Sequence, residues 1–279
     1  MSSMEDSDES YRGSMRKVWN ERAESYRKAM RLFEPYGFDL LARVNPKIRE
    51  SALDLATGPG EPAMSIARMV GPDGRVVGID LSEQMIQLAT RIAKERRIPG
   101  LTFLTMDAEK LDFPDDSFDL VTSRFGFQIF ANPETVAKEA YRVLRPKGRI
   151  GVAVWSTAEK ATALNAVVAA ILEFAEPDET GDRPMPFELG GPGELTKLLG
   201  DAGFGETQEE RRTHLMAFKD ENEYIEIMVE GTPFGRSIME EDPPVREKIL
   251  ARTRGNLRKW KSRKGILLPC EGVIVTGTK

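Results

Sequence analysis

Cysteine and histidine are almost absent from this chain of 279 residues, Cys270 and His214 being the sole examples. One cysteine rules out an internal disulfide and fits a reducing compartment, so a cytoplasmic protein is expected. One of each residue nearly excludes a His/Cys metal cluster, and no metal site is expected. Basic charge is not in excess: the formal net charge is −5, so no overall field points to nucleic acid as a partner. The local basic run Arg254–Lys264 reads as a solvated helix face. No apolar run approaches the ~20 residues of a membrane span, which argues against integral membrane association. Met1–Ser10 is acidic and serine-rich and lacks the regions of a signal peptide; a frayed tail is expected there. Neither an internal repeat nor a convincing linker divides the chain, and its composition offers nothing on oligomeric state.

What remains is an ordinary soluble composition with enough apolar content for a sizeable core: 40% hydrophobic and 30% charged residues. Tyr11–Ala42 keeps helical spacing until Pro35-Tyr36-Gly37 interrupts it. Trp19 and Tyr26, seven apart, share a face of that helix, either packed into the core or lying over a site as a lid. Short apolar runs at Ala52–Ala56, Arg75–Ile79, Leu101–Thr105, Phe118–Ser123 and Arg149–Trp155 alternate with helical patterns. Ser82 and Asn132-Pro133 open two of those helices. The alternation predicts an α/β fold with a doubly wound, mostly parallel sheet. The second half is less regular: a helix over Ala161–Ala175, a mobile loop over Pro177–Pro192, a short helix over Gly193–Ala202 and a strand over Glu206–Phe218. Glu221–Lys264 reads as mostly helical, broken at Gly231–Gly235 and Pro243-Pro244. Gly272–Thr278 alternates as a final strand.

The centre of the chain's chemistry is Asp54-Leu-Ala-Thr-Gly58-Pro-Gly60, a buried strand breaking into a glycine turn before a helix. Glycines let backbone approach a bound group closely, and a helix start presents free N–H donors. Gly58-Pro59-Gly60-Glu61-Pro62-Ala63 with Asp80 at the end of the next strand matches a dinucleotide fingerprint. An acid in that place is a two-oxygen acceptor for a ribose diol. Two features lead away from dinucleotides. Asp54 lies inside the first strand, where an acid is expensive without partners, and Asp107 ends the third strand, placed for an adenine amino group beside the Ala108 N–H. Three acids at three successive strands, with no Lys or Arg in the turn, suit a ligand with cationic groups better than a pyrophosphate.

Four stretches carry a family resemblance: the turn just quoted, Gly78-Ile-Asp80-Leu-Ser-Glu-Gln-Met85, Asp107-Ala108-Glu-Lys-Leu-Asp-Phe-Pro-Asp-Asp-Ser-Phe-Asp119 and Arg142-Val-Leu-Arg-Pro-Lys-Gly148. In this order they resemble the motifs of class I S-adenosylmethionine-dependent methyltransferases, nearest the ubiquinone/menaquinone-biosynthesis (type 11) branch. The resemblance covers about Trp19–Trp155 and, weakly, the last strand. It implies a seven-stranded Rossmann-like sheet with its last strand antiparallel, an N-terminal helical lid and a helical insert before that strand. The expected organisation is a tail and lid at 1–45, a cofactor-binding core at 46–218, an insert at 219–269 contributing to the acceptor pocket, and the final strand at 270–279. Gly58 and Gly60 would line the methionine portion of S-adenosyl-L-methionine, Ala56 and Thr57 would belong to the same cofactor-binding turn, and Asp54 beneath it would accept from backbone N–H groups or orient the loop that meets the ammonium. Asp80, with Leu81, would hold the ribose hydroxyls, Met85 would pack near the adenosine, Asp107 and Ala108 would contact adenine, and Ser123 would lie against the cofactor. Ala56 and Lys147 stand where relatives often have glycine; for Ala56 a tighter turn rather than lost binding is expected.

Methyl transfer from a sulfonium is an in-line displacement that mainly requires holding the nucleophile in place and excluding water. No catalytic residue is assigned, although His214 is the base candidate by type; Cys270 reads as a small hydrophobe. Trp19, Tyr26, Phe125, Phe127, Gln128 and Trp155 are the candidates for holding a small-molecule acceptor, with core packing an equal explanation for two of the three phenylalanines at 125, 127 and 130. The alternatives are a quinone or lipid methyltransferase at a membrane surface, a nicotinamide-dependent oxidoreductase, and a cofactor-binding protein without turnover.

Overall fold

In the computed structural model, which describes residues 2–175 and 186–279, the apolar runs of the first half become strands. These are β1 (Ser51–Leu55), β2 (Arg75–Asp80), β3 (Leu101–Thr105), β4 (Phe118–Arg124) and β5 (Leu144–Trp155). They pair in parallel in the order β3-β2-β1-β4-β5. β1 and β4 are buried along nearly their whole length because helices cover both faces of the sheet; Leu53, Leu55, Leu120 and Val121 are fully buried. The crossover helices are α2 (Ala63–Val70), α3 (Glu83–Glu95) and α4 (Pro133–Val143). The Ser82 hydroxyl caps α3 by accepting from the Met85 N–H (3.1 Å). The Asn132 side chain caps α4 by accepting from Thr135 N–H (2.8 Å), with Pro133 in the first turn.

The second half adds α5 (Thr162–Phe174), α6 (Glu194–Asp201) and β6 (Gly205–Phe218). Then follow α7 (Glu221–Tyr224), continued by a wider-wound turn to Glu230, α8 (Phe234–Glu240) and α9 (Pro243–Leu257), and last β7 (Lys261–Ser262) and β8 (Gly265–Thr278). β8 is antiparallel to both neighbours and lies between β5 and β6. The expected loop over Pro177–Pro192 falls outside the described residues as far as 185. Among the described residues no helix is long and apolar enough to cross a membrane.

Four expectations are corrected. Among the described residues the sheet adds to the seven expected strands an eighth, the two-residue β7 paired at Lys261↔Ile266 and Ser262↔Gly265. The last strand begins at Gly265, not near 270, because β6 is long enough to pair with it from Gly205↔Thr278 to Phe218↔Ile266. Pro243-Pro244 opens α9 instead of interrupting a helix, since the first turn needs no intrahelical N–H. The N-terminal helix α1 (Ser2–Val44, 43 residues) passes straight through Pro35 and includes the expected tail.

Tertiary packing overrides the missing Pro35 donor in α1. The next residue, Tyr36, is fully buried and its hydroxyl donates to the Cys270 carbonyl (2.5 Å). Beyond it Leu40 and Val44 lie flat on the sheet. A Cβ at Gly151 of β5 would stand 2.2 Å from the Val44 Cγ1, so that approach is open to glycine alone. The front of the helix is held by Arg12, which pairs one turn back with Glu9 (3.1 Å) and across the molecule with Glu109 (2.6 Å).

Ala56 (φ 52°) and Lys147 (φ 67°) both adopt the left-handed conformation that glycine tolerates. An exposed lysine there carries strain of about 1–2 kcal/mol, partly offset by the entropy a glycine loses on folding. Lys147→Gly is therefore expected to raise the urea midpoint, with a net gain of about 0.5–1 kcal/mol, while Lys147→Val lowers it.

Candidate active site

The turn after β1 is built from backbone. The Thr57 N–H donates to the Ile79 carbonyl (2.8 Å) and the Gly60 N–H to the Thr57 carbonyl (2.9 Å), with Gly58 at φ 52° and Gly60 at φ 100°. A Cβ on Gly60 would meet the Phe103 ring at 2.9 Å, whereas one on Gly58 would meet only the edge of Tyr26 at 3.9 Å. Gly60 thus closes the packing behind the turn, and Gly58 presents bare backbone to open space. Asp80, at the end of β2, joins this turn to the start of α3. Its Oδ2 accepts from the Gly58 N–H and its Oδ1 from the Ser82 N–H, each at 2.9 Å. Burial pushes its carboxyl up to about 6, against the pull of those N–H donors.

In front of the turn lies a cavity with about 1230 Å³ of free space, part of it open to solvent. It lies outside the carboxyl ends of the strands where their order reverses between β1 and β4, the usual ligand crevice of an open α/β sheet. One end carries acids: Asp80, Asp107 and Glu109 are the carboxylates on its wall. The Asp107 Oδ1 accepts from the Glu109 N–H (2.9 Å), and its Oδ2 lies 3.7 Å from the Arg12 guanidinium of α1.

The other end is aromatic. Trp19 packs edge-on to Tyr26 (5.1 Å), Tyr26 against Phe33 (5.8 Å), Phe33 against Phe125 (5.8 Å), and Phe125 stacks on Trp155 (3.8 Å). Arg12, Trp19, Tyr26 and Phe33 recur every seven residues along one face of α1, and that face roofs the cavity. The Trp19 indole N–H is buried with no partner. Burial raises the Tyr26 hydroxyl's pKa, so it stays protonated.

Of the residues singled out from sequence, Ala56, Gly58, Asp80, Leu81, Met85, Asp107 and Ala108 line this cavity, as do Trp19, Tyr26, Phe125, Gln128 and Trp155. The Gln128 side chain also accepts from the Trp155 N–H (2.9 Å), tying two wall segments together. Five lie behind the wall. Thr57 and Gly60 shape the turn. The Ser123 hydroxyl is spent on the Leu55 carbonyl (3.1 Å). Asp54 is fully buried beneath the turn, its Oδ1 accepting from Thr122 (2.7 Å) and its Oδ2 without a hydrogen-bond partner. Phe127 corrects the acceptor set: it is 1% exposed and packs in the core against Phe130, because the short turn Phe127–Ile129 points it inward.

His214 is off the cavity; its Nε2 lies 2.6 Å from Asp39 on α1. Cys270 is buried, its thiol pushed up to about 12 by desolvation. Arg12, Phe33, Met106 and Glu109 are wall residues that sequence reading missed. The first two continue the seven-residue spacing of Trp19 and Tyr26, a signal that was present.

Comparison with known proteins agrees with this geometry. Residues 52–148 match the family model described as a methyltransferase domain. A demethylmenaquinone methyltransferase of Geobacillus sp. (strain WCH70) is 36% identical over 112 residues, covering 40% of this chain and 48% of that protein. A ubiquinone/menaquinone biosynthesis C-methyltransferase of Pseudomonas entomophila is 39% identical over 105 residues, covering 37% and 41%. The chain thus matches less than half the length of these curated relatives. Among solved structures, a putative methyltransferase from Bacillus halodurans shares the fold, with TM-score 0.58 at 22% identity over 87% of this chain and 98% of that one. The resemblance to class I S-adenosylmethionine-dependent methyltransferases near the ubiquinone/menaquinone branch stands, and with it the Rossmann-like fold.

The buried Asp54 has a consequence for stability. Desolvation raises its carboxyl from 3.8 to about 6, more than Thr57, Thr122 and Arg124 lower it. The folded state therefore favours the protonated acid, and the stability this lends is full below the unfolded pKa and lost as pH rises through about 6. Relative to Asp54→Asn, the parent is expected to lose up to about 3 kcal/mol between pH 4 and pH 7. Urea denaturation of the two proteins across that range measures it, and the similar shift at Asp80 cancels in the difference.

Proposed function

We propose that this protein is an S-adenosyl-L-methionine-dependent methyltransferase that methylates a small planar or apolar acceptor by in-line displacement, releasing S-adenosyl-L-homocysteine. One observation carries the reading: two carboxylates, Asp80 and Asp107, end neighbouring parallel strands on the wall of a cavity that opens over a glycine turn without Lys or Arg. Carboxylates there suit the sugar hydroxyls, the exocyclic amine and the cationic groups of an adenosyl sulfonium, and would repel a pyrophosphate.

The donor, when bound, supplies a methyl group on a sulfonium, an electrophile with a good leaving group. The chain's own residues have the remaining tasks. Asp80 has one N–H on each oxygen and further lone pairs free for the ribose hydroxyls. Asp107 and the Ala108 backbone would receive adenine, Met85 would pack beside it, and Gly58 would let the methionine portion lie against backbone. Trp19, Tyr26 and Phe33 on α1 would roof the site and exclude water, while Phe125 and Trp155 form the far wall against which an acceptor rests. The segment 219–269 contributes to the acceptor end through Met228, Thr232 and Pro233. Among the described residues, the wall carboxylates Asp80, Asp107 and Glu109 stand at the donor end. A cytoplasmic location, suggested by the single cysteine, belongs to the same reading.

Calorimetric titration with S-adenosyl-L-homocysteine tests it. Asp80→Ala and Asp107→Ala are each expected to weaken binding by about tenfold or more with the urea midpoint monitored as a check on folding. Unchanged affinity in both folded variants would overturn the assignment.

A further inference from the structure

Arg124, the last residue of β4, carries a charge that the rest of the site does not answer. It is 8% exposed and lines the aromatic end of the cavity beside Phe125. A guanidinium has five N–H donors, and the hydrogen bond found for this one runs from Nη1 to the Phe33 carbonyl at 3.4 Å, a long contact. Among the described residues no carboxylate stands within ion-pair distance of it (4.0 Å). Of the nearby acids, Asp54, Asp80 and Glu61 have hydrogen-bond partners of their own. Asp54 feels the guanidinium's charge but hydrogen-bonds to Thr122. Asp80 is held by two backbone N–H groups. A smaller cleft on the other side of Arg124 carries Glu34 and Glu61, and Glu61 is turned to Ser65 (2.7 Å) and Arg96 (3.3 Å).

Burying a cation without a partner is costly, and such groups are retained where a ligand completes them. The backbone beside it points the same way. Phe125 sits at φ 65°, a conformation rare for an aromatic residue, with its N–H donated to the Ala153 carbonyl (2.7 Å). Strain of this kind concentrates at ligand clamps. Its effect here is to place a flat apolar face, Phe125 stacked on Trp155, on the wall of the cavity that Arg124 also lines.

We infer that the methyl acceptor carries a carboxylate that docks on Arg124 while its apolar body lies against Phe125 and Trp155. A guanidinium fork matches two coplanar oxygens better than a single hydroxyl. This rests on the methyltransferase reading for the identity of the second ligand, but the charge preference is a property of the cavity itself. Arg124 is a recognition residue here, not a participant in bond making.

The test is a matched pair of probes, 2-naphthoate and 2-naphthamide, titrated calorimetrically into the full chain with and without saturating S-adenosyl-L-homocysteine. The parent protein is expected to prefer the carboxylate by about tenfold or more, the strength of a charge-assisted hydrogen bond in a shielded site. Arg124→Gln should abolish the preference by losing naphthoate affinity while naphthamide changes little. Arg124→Lys, which keeps the charge without the fork, should retain part of it. Equal affinities in the parent, binding of neither probe, or a preference that survives in Arg124→Gln overturns the inference, and the first two need no variant to fold. Inorganic phosphate as competitor separates planar from tetrahedral anions: displacement of naphthoate by millimolar phosphate would refute a planar site. If the homocysteine product fails to bind while naphthoate is still preferred, the methyltransferase reading fails and the anion site stands.

Discussion

One carboxylate holds the site in register. Asp80 takes an N–H from Gly58 on one oxygen and from Ser82 on the other, so the turn after β1, the end of β2 and the beginning of α3 share a single anchor. Ser82 in turn donates its hydroxyl to the Asn20 side chain (2.7 Å), which brings α1 into the same network. An acid in this position is expensive to bury, and its raised pKa is the sign of that expense. What offsets it is backbone, whose donors cannot rotate away. The geometry facing the cavity is therefore set before any ligand arrives, which is the condition for selective binding.

Charge is distributed unevenly across the cavity, and the distribution divides it. Acids at the ends of β2 and β3 make one end electronegative, with Arg12 reaching down from α1 as the counter-charge at its rim. The opposite end is aromatic and contains one buried cation. In an environment of low dielectric such separation favours positive groups at the acidic end and negative ones at the other.

The parallel half of the fold was legible because its strands are short, continuous and punctuated by Gly, Pro and capping residues, each a local signal. Asp80 and Asp107 were legible for the same reason, since a strand end is a position that sequence marks. Phe127 was not. Its neighbours Phe125 and Phe130 share its composition, and only the turn at Phe127–Ile129 decides which of them faces the cavity. Arg124 was not singled out as a charge because what does so, a buried guanidinium with no described carboxylate in ion-pair range, is a three-dimensional fact. Pro35 misled for a different reason: the local rule that proline ends a helix is weaker than the burial of Tyr36, Leu40 and Val44 on the sheet behind it.

The position of β8 bears on how the molecule is made. It is the last strand along the chain, yet it lies inside the sheet, with β5 on one side and β6 on the other. It also offers the Cys270 carbonyl that receives the Tyr36 hydroxyl from α1. During synthesis, β6 leaves the ribosome with no strand beside it, and α1 has no carbonyl to dock its middle against. Both must wait for Gly265–Thr278. A nascent chain paused before Gly265 would expose an unsatisfied strand edge and an open aromatic trough, the surfaces that chaperones recognise and that aggregation exploits.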